Sequence, residues 1–261
     1  MKRLLDIRRR NDWGGFLPRY CPTEKFGKRY DESMEQILVY SDSLSWGIIP
    51  LTRQRLPFNK RWPGVLENAL LERGINVRVL ENCLNGRRTV WCDPLKDGRD
   101  GSEGLPQVIE MHSPLKLVVM MLGTNDFQCT HDNNAWLSAQ GTAKLIGLIR
   151  QAPLEPGMPV PEILVVAPPK IIKPKGDIAS KFKGAEERDI GLASELEKIA
   201  QEHSVHYFDS AMVTEASRVD GIHLDENQHV ILGKAIAQVV CDTISFEEGS
   251  MKRKDSGSEI E

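Results

Sequence analysis

Cysteine is scarce in this chain and badly placed for cross-links. The five cysteines, Cys21, Cys83, Cys92, Cys129 and Cys241, are odd in number and show no Cys-x-x-Cys spacing, which argues against a disulfide framework and a structural zinc site. Buried free thiols are the expectation. No run approaches the roughly 18 apolar residues that a membrane-spanning helix needs. An excess of basic charge is also missing: 34 Lys and Arg face 37 Asp and Glu, for a net charge of -3 and a pI near 6.1. A nucleic-acid partner would leave a basic imprint, so none is expected, and neither is a membrane. Met1 to Asn11 is basic, but no apolar stretch follows it. That speaks against a secretory signal and makes the cytoplasm the default compartment.

What is present is ordinary for a folded domain. The 261 residues are 40% hydrophobic and 27% charged, enough for one large α/β domain or two small ones. Five short apolar runs read as strands: Ile37 to Tyr40, Val77 to Leu80, Leu117 to Leu122, Ile163 to Ala167 and Val205 to Phe208. Their unbroken apolar character suits a parallel sheet covered on both faces. Helical spacing fills the intervals. Val65, Leu66, Ala69 and Leu70 form one stripe, Leu145, Ile146 and Ile149 another, and Ile190, Leu192, Leu196 and Ile199 a third. A last helix over about 227–241 is expected to face Val230, Ile231, Ala235, Val239 and Val240 inward. The alternation predicts a three-layer α/β/α domain over 37–245, with a central parallel sheet of about five strands.

Three segments depart from that pattern. Residues 246–261 are charged and rich in Ser and Gly, as in a disordered tail. Pro153 to Pro161 reads as a surface connection. Residues 1–36 are charged yet hold Trp13, Phe16, Tyr20, Phe26 and Tyr30. So many rings predict an extension that packs on the body or on a partner subunit.

In open parallel sheets, ligands bind beyond the carboxyl ends of the strands. The residues just after each strand are therefore the ones to read. Ser41-Asp42-Ser43-Leu44-Ser45 follows the first strand, and the second leads to Asn85-Gly86-Arg87-Arg88-Thr89. Gly123-Thr124-Asn125-Asp126 follows the third, and the fifth leads to Asp220-Gly221-Ile222-His223. A base histidine needs a partner on its second ring nitrogen, and Asp220 stands three residues before His223. Glu226 and His229 repeat that spacing, but His229 begins the last helical stripe and reads as a structural or surface residue. Ser43, in a sharp turn after a strand, is the candidate nucleophile, because a serine becomes reactive only beside such a base. Gly86 and Asn125 then supply what acyl transfer also requires, N–H donors for a tetrahedral oxyanion.

These residues carry a family resemblance. Tyr40-Ser41-Asp42-Ser43-Leu44-Ser45-Trp46-Gly47 resembles the first block of the SGNH, or GDSL-type, hydrolases; Gly86, Gly123-Thr124-Asn125-Asp126 and Asp220-Gly221-Ile222-His223 match the later blocks. Gly86 to Trp91 and Met121 to Asp126 resemble the arylesterase and acyltransferase branch in particular. The likeness runs from about Ile37 to Thr243. It implies a flavodoxin-like sheet, a triad of Ser43, Asp220 and His223, and an oxyanion hole from Ser43, Gly86 and Asn125. Some members of that branch transfer acyl groups to alcohols or peroxide, and some are oligomers, which leaves room for a homo-oligomer here. One position departs: Ser41 stands where the family has glycine. If that glycine serves the turn, converting Ser41 to Gly should leave activity equal or higher.

The chemistry so implied is acyl transfer through Ser43 without a metal or organic cofactor. Leu44, Trp46, Trp91 and Phe127 flank the motif residues and are candidate walls for a small acyl or aryl group. Arg87 and Arg88 read either as facing an anionic substrate or as solvated surface. A short-chain ester, such as an acetyl ester, is the expected substrate, with sugar deacetylation close behind. A catalytically dead member that only binds acylated ligands is a third case. The rival from another class is a flavin-binding protein whose phosphate sits on Ser41, Ser43 and Ser45. It leaves Asn125 and the Asp220–His223 pair unexplained.

Overall fold

Along β1 (Glu35–Ser41), Ile37 and Val39 turn to one face of a sheet while Leu38 and Tyr40 turn to the other, and all four are buried. That two-sided burial dictates three layers. The computed structural model describes residues 34–52 and 54–245. The expectations for the N-terminal extension and for the C-terminal tail lie outside the described residues, except that Glu35 and Gln36 already belong to β1.

After β1 the chain runs through α1 (Ser43–Trp46), α2 (Trp62–Leu71), β2 (Val77–Cys83), α3 (Leu105–His112) and β3 (Leu117–Met121). It continues through α4 (Ala135–Arg150), β4 (Glu162–Ala167), α5 (Ala185–Arg188), α6 (Leu192–Glu202), β5 (His206–Asp209) and α7 (Glu226–Thr243). The five strands are all parallel, in the order β2-β1-β3-β4-β5. Each strand predicted from the sequence is present, and the α/β/α class holds.

Two cores sandwich the sheet. Leu105 and Ile109 of α3, Leu145, Ile146 and Ile149 of α4, and Leu196 and Ile199 of α6 cover the Leu38 face. Trp62, Leu66 and Leu70 of α2 and Leu232, Ile236 and Val240 of α7 cover the Ile37 face. Truncating a fully buried Leu66 or Leu232 to Ala would cost about 2–5 kcal/mol. The last helix matches the expected stripe at Val240 and in part at Val239, which packs against the core, but differs along the rest of its inner face. His229, Leu232, Gly233, Ile236, Ala237 and Val240 are buried, whereas Ile231 is 44% exposed. Ile190 is exposed as well and precedes α6.

The register prepares the site. Ser41 pairs with Cys83 on one side and with Met121 on the other. The loops after β1, β2 and β3 therefore leave the sheet at one level. The expectation of buried thiols fares less well: Cys92 and Cys129 are exposed, Cys83 and Cys241 half-buried, and all four are free.

Candidate active site

α1 begins immediately beyond β1, so Ser43 sits in its first turn. Asp42 is the N-cap, its Oδ1 accepting from the Leu44 amide at 2.9 Å. The approaching ring comes from the loop before α7. His223 Nε2 lies 3.1 Å from Ser43 Oγ, and His223 Nδ1 lies 2.7 Å from Asp220 Oδ2. Asp220 Oδ1 accepts from the amides of Ile222 and His223, each at 2.9 Å, so one carboxylate fixes both its own loop and the imidazole. Burial alone would raise the pKa of Asp220. Its hydrogen bond and charge interaction with His223, with the two amides, outweigh that and leave it below its ordinary value.

The loop has little freedom to be otherwise. Gly221 has φ +81, and a Cβ there would lie 2.6 Å from the Lys173 carbonyl oxygen. The Ile172 amide donates to Gly221 O and the Lys175 amide to Asp220 O, tying the loop to the segment after β4. Leu224, fully buried, anchors its far side in the core.

The remaining loops meet around Ser43. Asn125 Nδ2 donates to Asp42 Oδ2 at 2.8 Å, and Gln128 Nε2 donates to Asn125 Oδ1 at 2.6 Å. A primary amide has two N–H donors, so Asn125 keeps one beyond the bond to Asp42. Burial raises Asp42 to about 6, against the opposing hydrogen bond from Leu44 N. Asp126 is likewise raised by burial to about 6. It accepts from Thr89 N, Thr89 Oγ1 and Ser138 Oγ, locking the loop after β2 to the loop after β3 and to α4. Gly86 adopts φ +86, a conformation that L side chains rarely take, while the space a Cβ would occupy is open apart from Arg99 at 3.7 Å. Conformation, not crowding, makes glycine the natural choice there.

Ser41 has a structural role of its own. Trp62 Nε1 donates to Ser45 Oγ at 3.0 Å, Ser45 Oγ to Ser41 Oγ at 2.5 Å, and Ser41 Oγ to Met121 O at 2.6 Å. The hydroxyl fastens β1 to the end of β3 and to α2. Ser41 and Ser45 are fully buried and committed inward, which removes the hydroxyl cradle that a flavin phosphate would use. The two arginines after Gly86 also differ from the expectation. Arg87 stacks on Tyr40 at 3.9 Å and donates to the carbonyls of Ser41 and Asn82; Arg88 is wholly buried. Neither is a solvated surface residue, because each has carbonyl or amide acceptors waiting inside.

Of the four apolar candidates, Trp46 and Trp91 are half-buried, Trp46 braced by Arg55 at 4.8 Å and Trp91 tilted against the His131 ring at 6.0 Å. Leu44 and Phe127 instead belong to the two opposite cores. A cleft of about 330 Å³ beside Pro168, Asp189 and Leu192 contains none of Ser43, Asp220 or His223. His229 is structural: Nδ1 accepts from the Trp62 amide at 3.3 Å, and burial drives its pKa down to about 3. Among the described residues no cluster of His, Cys, Asp and Glu could hold a metal ion, and no helix is long and apolar enough to cross a membrane. Sequence reasoning missed the parts played by Asp42, Asp126 and Gln128; Asp42 and Asp126 carried a signal, their places inside the first and third motifs, and Gln128 carried none.

Comparison with known proteins gives relatives for the chain. An aryl esterase from M. smegmatis is similar at 32% identity and a TM-score of 0.74, over 80% of this chain and 99% of that one. Est24, a carbohydrate acetylesterase from Sinorhizobium meliloti, is similar at 31% identity and a TM-score of 0.74, over 80% and 99%. An arylesterase of Vibrio mimicus is 36% identical over 95 residues, a match that spans 36% of this chain and only 40% of that protein's length. The model of the GDSL-like lipase/acylhydrolase family matches residues 42–230, the stretch that holds every loop of the site, and the chain belongs to that family.

Proposed function

We propose that this protein is a serine esterase that cleaves short-chain carboxylic esters through an acyl-enzyme on Ser43. The observation that carries the reading is the unbroken line Asp220–His223–Ser43, with both ring nitrogens engaged. In that reading His223 takes the hydroxyl proton as Ser43 attacks the ester carbonyl, then returns it to the leaving alcohol. Asp220, held ionised, fixes the tautomer and stabilises the imidazolium. The amides of Ser43 and Gly86 and the Asn125 side chain receive the oxyanion, each donor worth about 10²–10³ in rate. Water then attacks the acyl-enzyme in the reverse sequence of proton transfers. An alcohol taking the place of water would give transesterification.

Small acyl groups are favoured because Leu44 and Phe127 are used up in the cores and leave Trp46 and Trp91 as the candidate apolar walls. The likeness to aryl esterases supports an aryl or alkyl acetate as substrate. The likeness to a carbohydrate acetylesterase supports deacetylation of a sugar as the second reading. A panel of p-nitrophenyl esters of graded acyl length, run beside an acetylated sugar, tests both. Turnover should be highest for acetate, fall with chain length and vanish in Ser43→Ala. Turnover that persists in Ser43→Ala would remove the proposal.

A further inference from the structure

Four buried side chains stand in series behind the candidate oxyanion hole. Arg88 Nη2 donates to Gln128 Oε1 at 2.8 Å, Gln128 Nε2 to Asn125 Oδ1 at 2.6 Å, and Asn125 Nδ2 to Asp42 Oδ2 at 2.8 Å. Arg88, Gln128 and Asp42 are fully buried, and Asn125 is 4% exposed. We propose that Arg88 and Gln128 are positioning residues whose task is to keep the N–H side of the Asn125 amide turned toward the oxyanion. The inference rests on the role proposed above for Asn125.

Polarity, not shape, decides which way this amide faces. An amide is nearly symmetric in shape, so packing alone barely distinguishes its oxygen from its nitrogen. A flipped Asn125 would place a carbonyl oxygen where the substrate oxygen becomes negative, which repels instead of stabilising. Something must therefore choose the orientation. A guanidinium can only donate, so Gln128 must turn Oε1 toward Arg88 and Nε2 toward Asn125. Asn125 must then meet Gln128 with Oδ1, which leaves Nδ2 for Asp42 and the hole. At the other end an ionised carboxylate can only accept. A cation and an anion thus pole two neutral amides head to tail, and hydrogen bonds in such a chain reinforce one another in a low dielectric.

Stability alone is a poor reason for the arrangement. Arg88 Nε and Nη1 find no hydrogen-bond partner among the described residues. Its other contacts are Thr130 Oγ1 at 2.6 Å and Asp93 Oδ2 at 3.6 Å. A buried charge with orphaned donors is costly, and apolar replacements for such groups are often more stable. A donor-only group at this point is explained by what it imposes on Gln128.

A double-mutant cycle tests the proposal with kcat and KM for p-nitrophenyl acetate at pH 8. Gln128→Glu keeps an acceptor for Arg88 but loses the donor to Asn125; Arg88→Met removes the donor-only end. Asn125→Ala should lower kcat by about 10²–10³. Gln128→Glu and Arg88→Met should each lower kcat by about tenfold or more with KM little changed, yet cost almost nothing further in the Asn125→Ala background, since effects acting through one group are not additive. Where the buried carboxylate or the loss of Arg88 disturbs folding, Gln128→Leu completes the cycle. Equal losses in both backgrounds would mean a general structural role and would overturn the proposal while leaving the Asn125 assignment standing. An Asn125→Ala variant as active as the native chain would instead remove that assignment, and this inference with it.

Discussion

His223 Nε2 stands 3.1 Å from Ser43 Oγ, across 180 positions of sequence. That is hydrogen-bonding distance for a base poised on a nucleophile. Ser43→Ala and His223→Ala should each lower kcat for p-nitrophenyl acetate by at least about 10⁴, and the double variant by little more, because the two act as one unit. Kinetics of the three variants check this; near-native kcat in either single variant, or fully additive losses in the double variant, would contradict it.

Ser41 and Met121 are joined by a buried 2.6 Å hydrogen bond that a glycine cannot make. Ser41→Gly would leave Ser45 Oγ without its acceptor inside the core, a cost of about 1–3 kcal/mol. The melting temperature should therefore drop by several degrees, measured by thermal denaturation. An unchanged or raised Tm would show that the serine chain contributes nothing. Sequence reasoning favoured glycine at this position because it saw the turn but not the partners of the hydroxyl.

Asp42 accepts from both Leu44 N and Asn125 Nδ2. Asp42→Asn preserves shape but can turn a donor toward Asn125. It should reduce kcat at pH 8 by about tenfold or more, as the loss of an aligned oxyanion donor does. The esterase assay reads it directly, and near-native activity would remove Asp42 from the orienting role.

His229 is buried neutral, and its folded pKa of about 3 lies below the ordinary value of 6.5. Between those values the unfolded chain binds the extra proton, so this group makes stability fall as pH drops from about 6.5 toward 3, by up to about 1.4 kcal/mol per pH unit. Asp42 and Asp126, raised to about 6, act with the opposite sign: their contribution is present below about 4 and is lost as pH rises through 6. His229→Gln should lower stability at pH 7 through the tie to Trp62, yet reduce the loss between pH 6 and pH 4. Urea titrations at several pH values check the slope; an unchanged slope would contradict the buried neutral ring.

Much of this was legible in the residues. Continuous apolar runs located the strands, because a parallel sheet buries both faces of each. The rim loops were read for Ser43, Gly86, Asn125, Asp220 and His223, because strand ends concentrate chemistry, and the structure joins Ser43, His223 and Asp220 in one hydrogen-bonded line. The inner stripe of α7 was misread in part for a physical reason: Val230 and Ile231 are apolar, but the face turned inward runs through His229 and Gly233. Hydrophobicity alone assigns a histidine to the outside, and only the Trp62 amide explains its burial. Arg88 was noticed only as a charge beside Gly86, and Gln128 gave no signal at all. Their meaning depends on which partner each meets, and spacing along the chain does not encode that.

The most direct test of the central claim is to quench the native chain in acid during turnover of p-nitrophenyl acetate and map the modified peptide by mass spectrometry. One acetyl group on Ser43, absent from Ser43→Ala and accumulating in proportion to the burst of nitrophenol, is the predicted result. Acetylation elsewhere, or turnover with no acyl-enzyme at any stage of the burst, would contradict it.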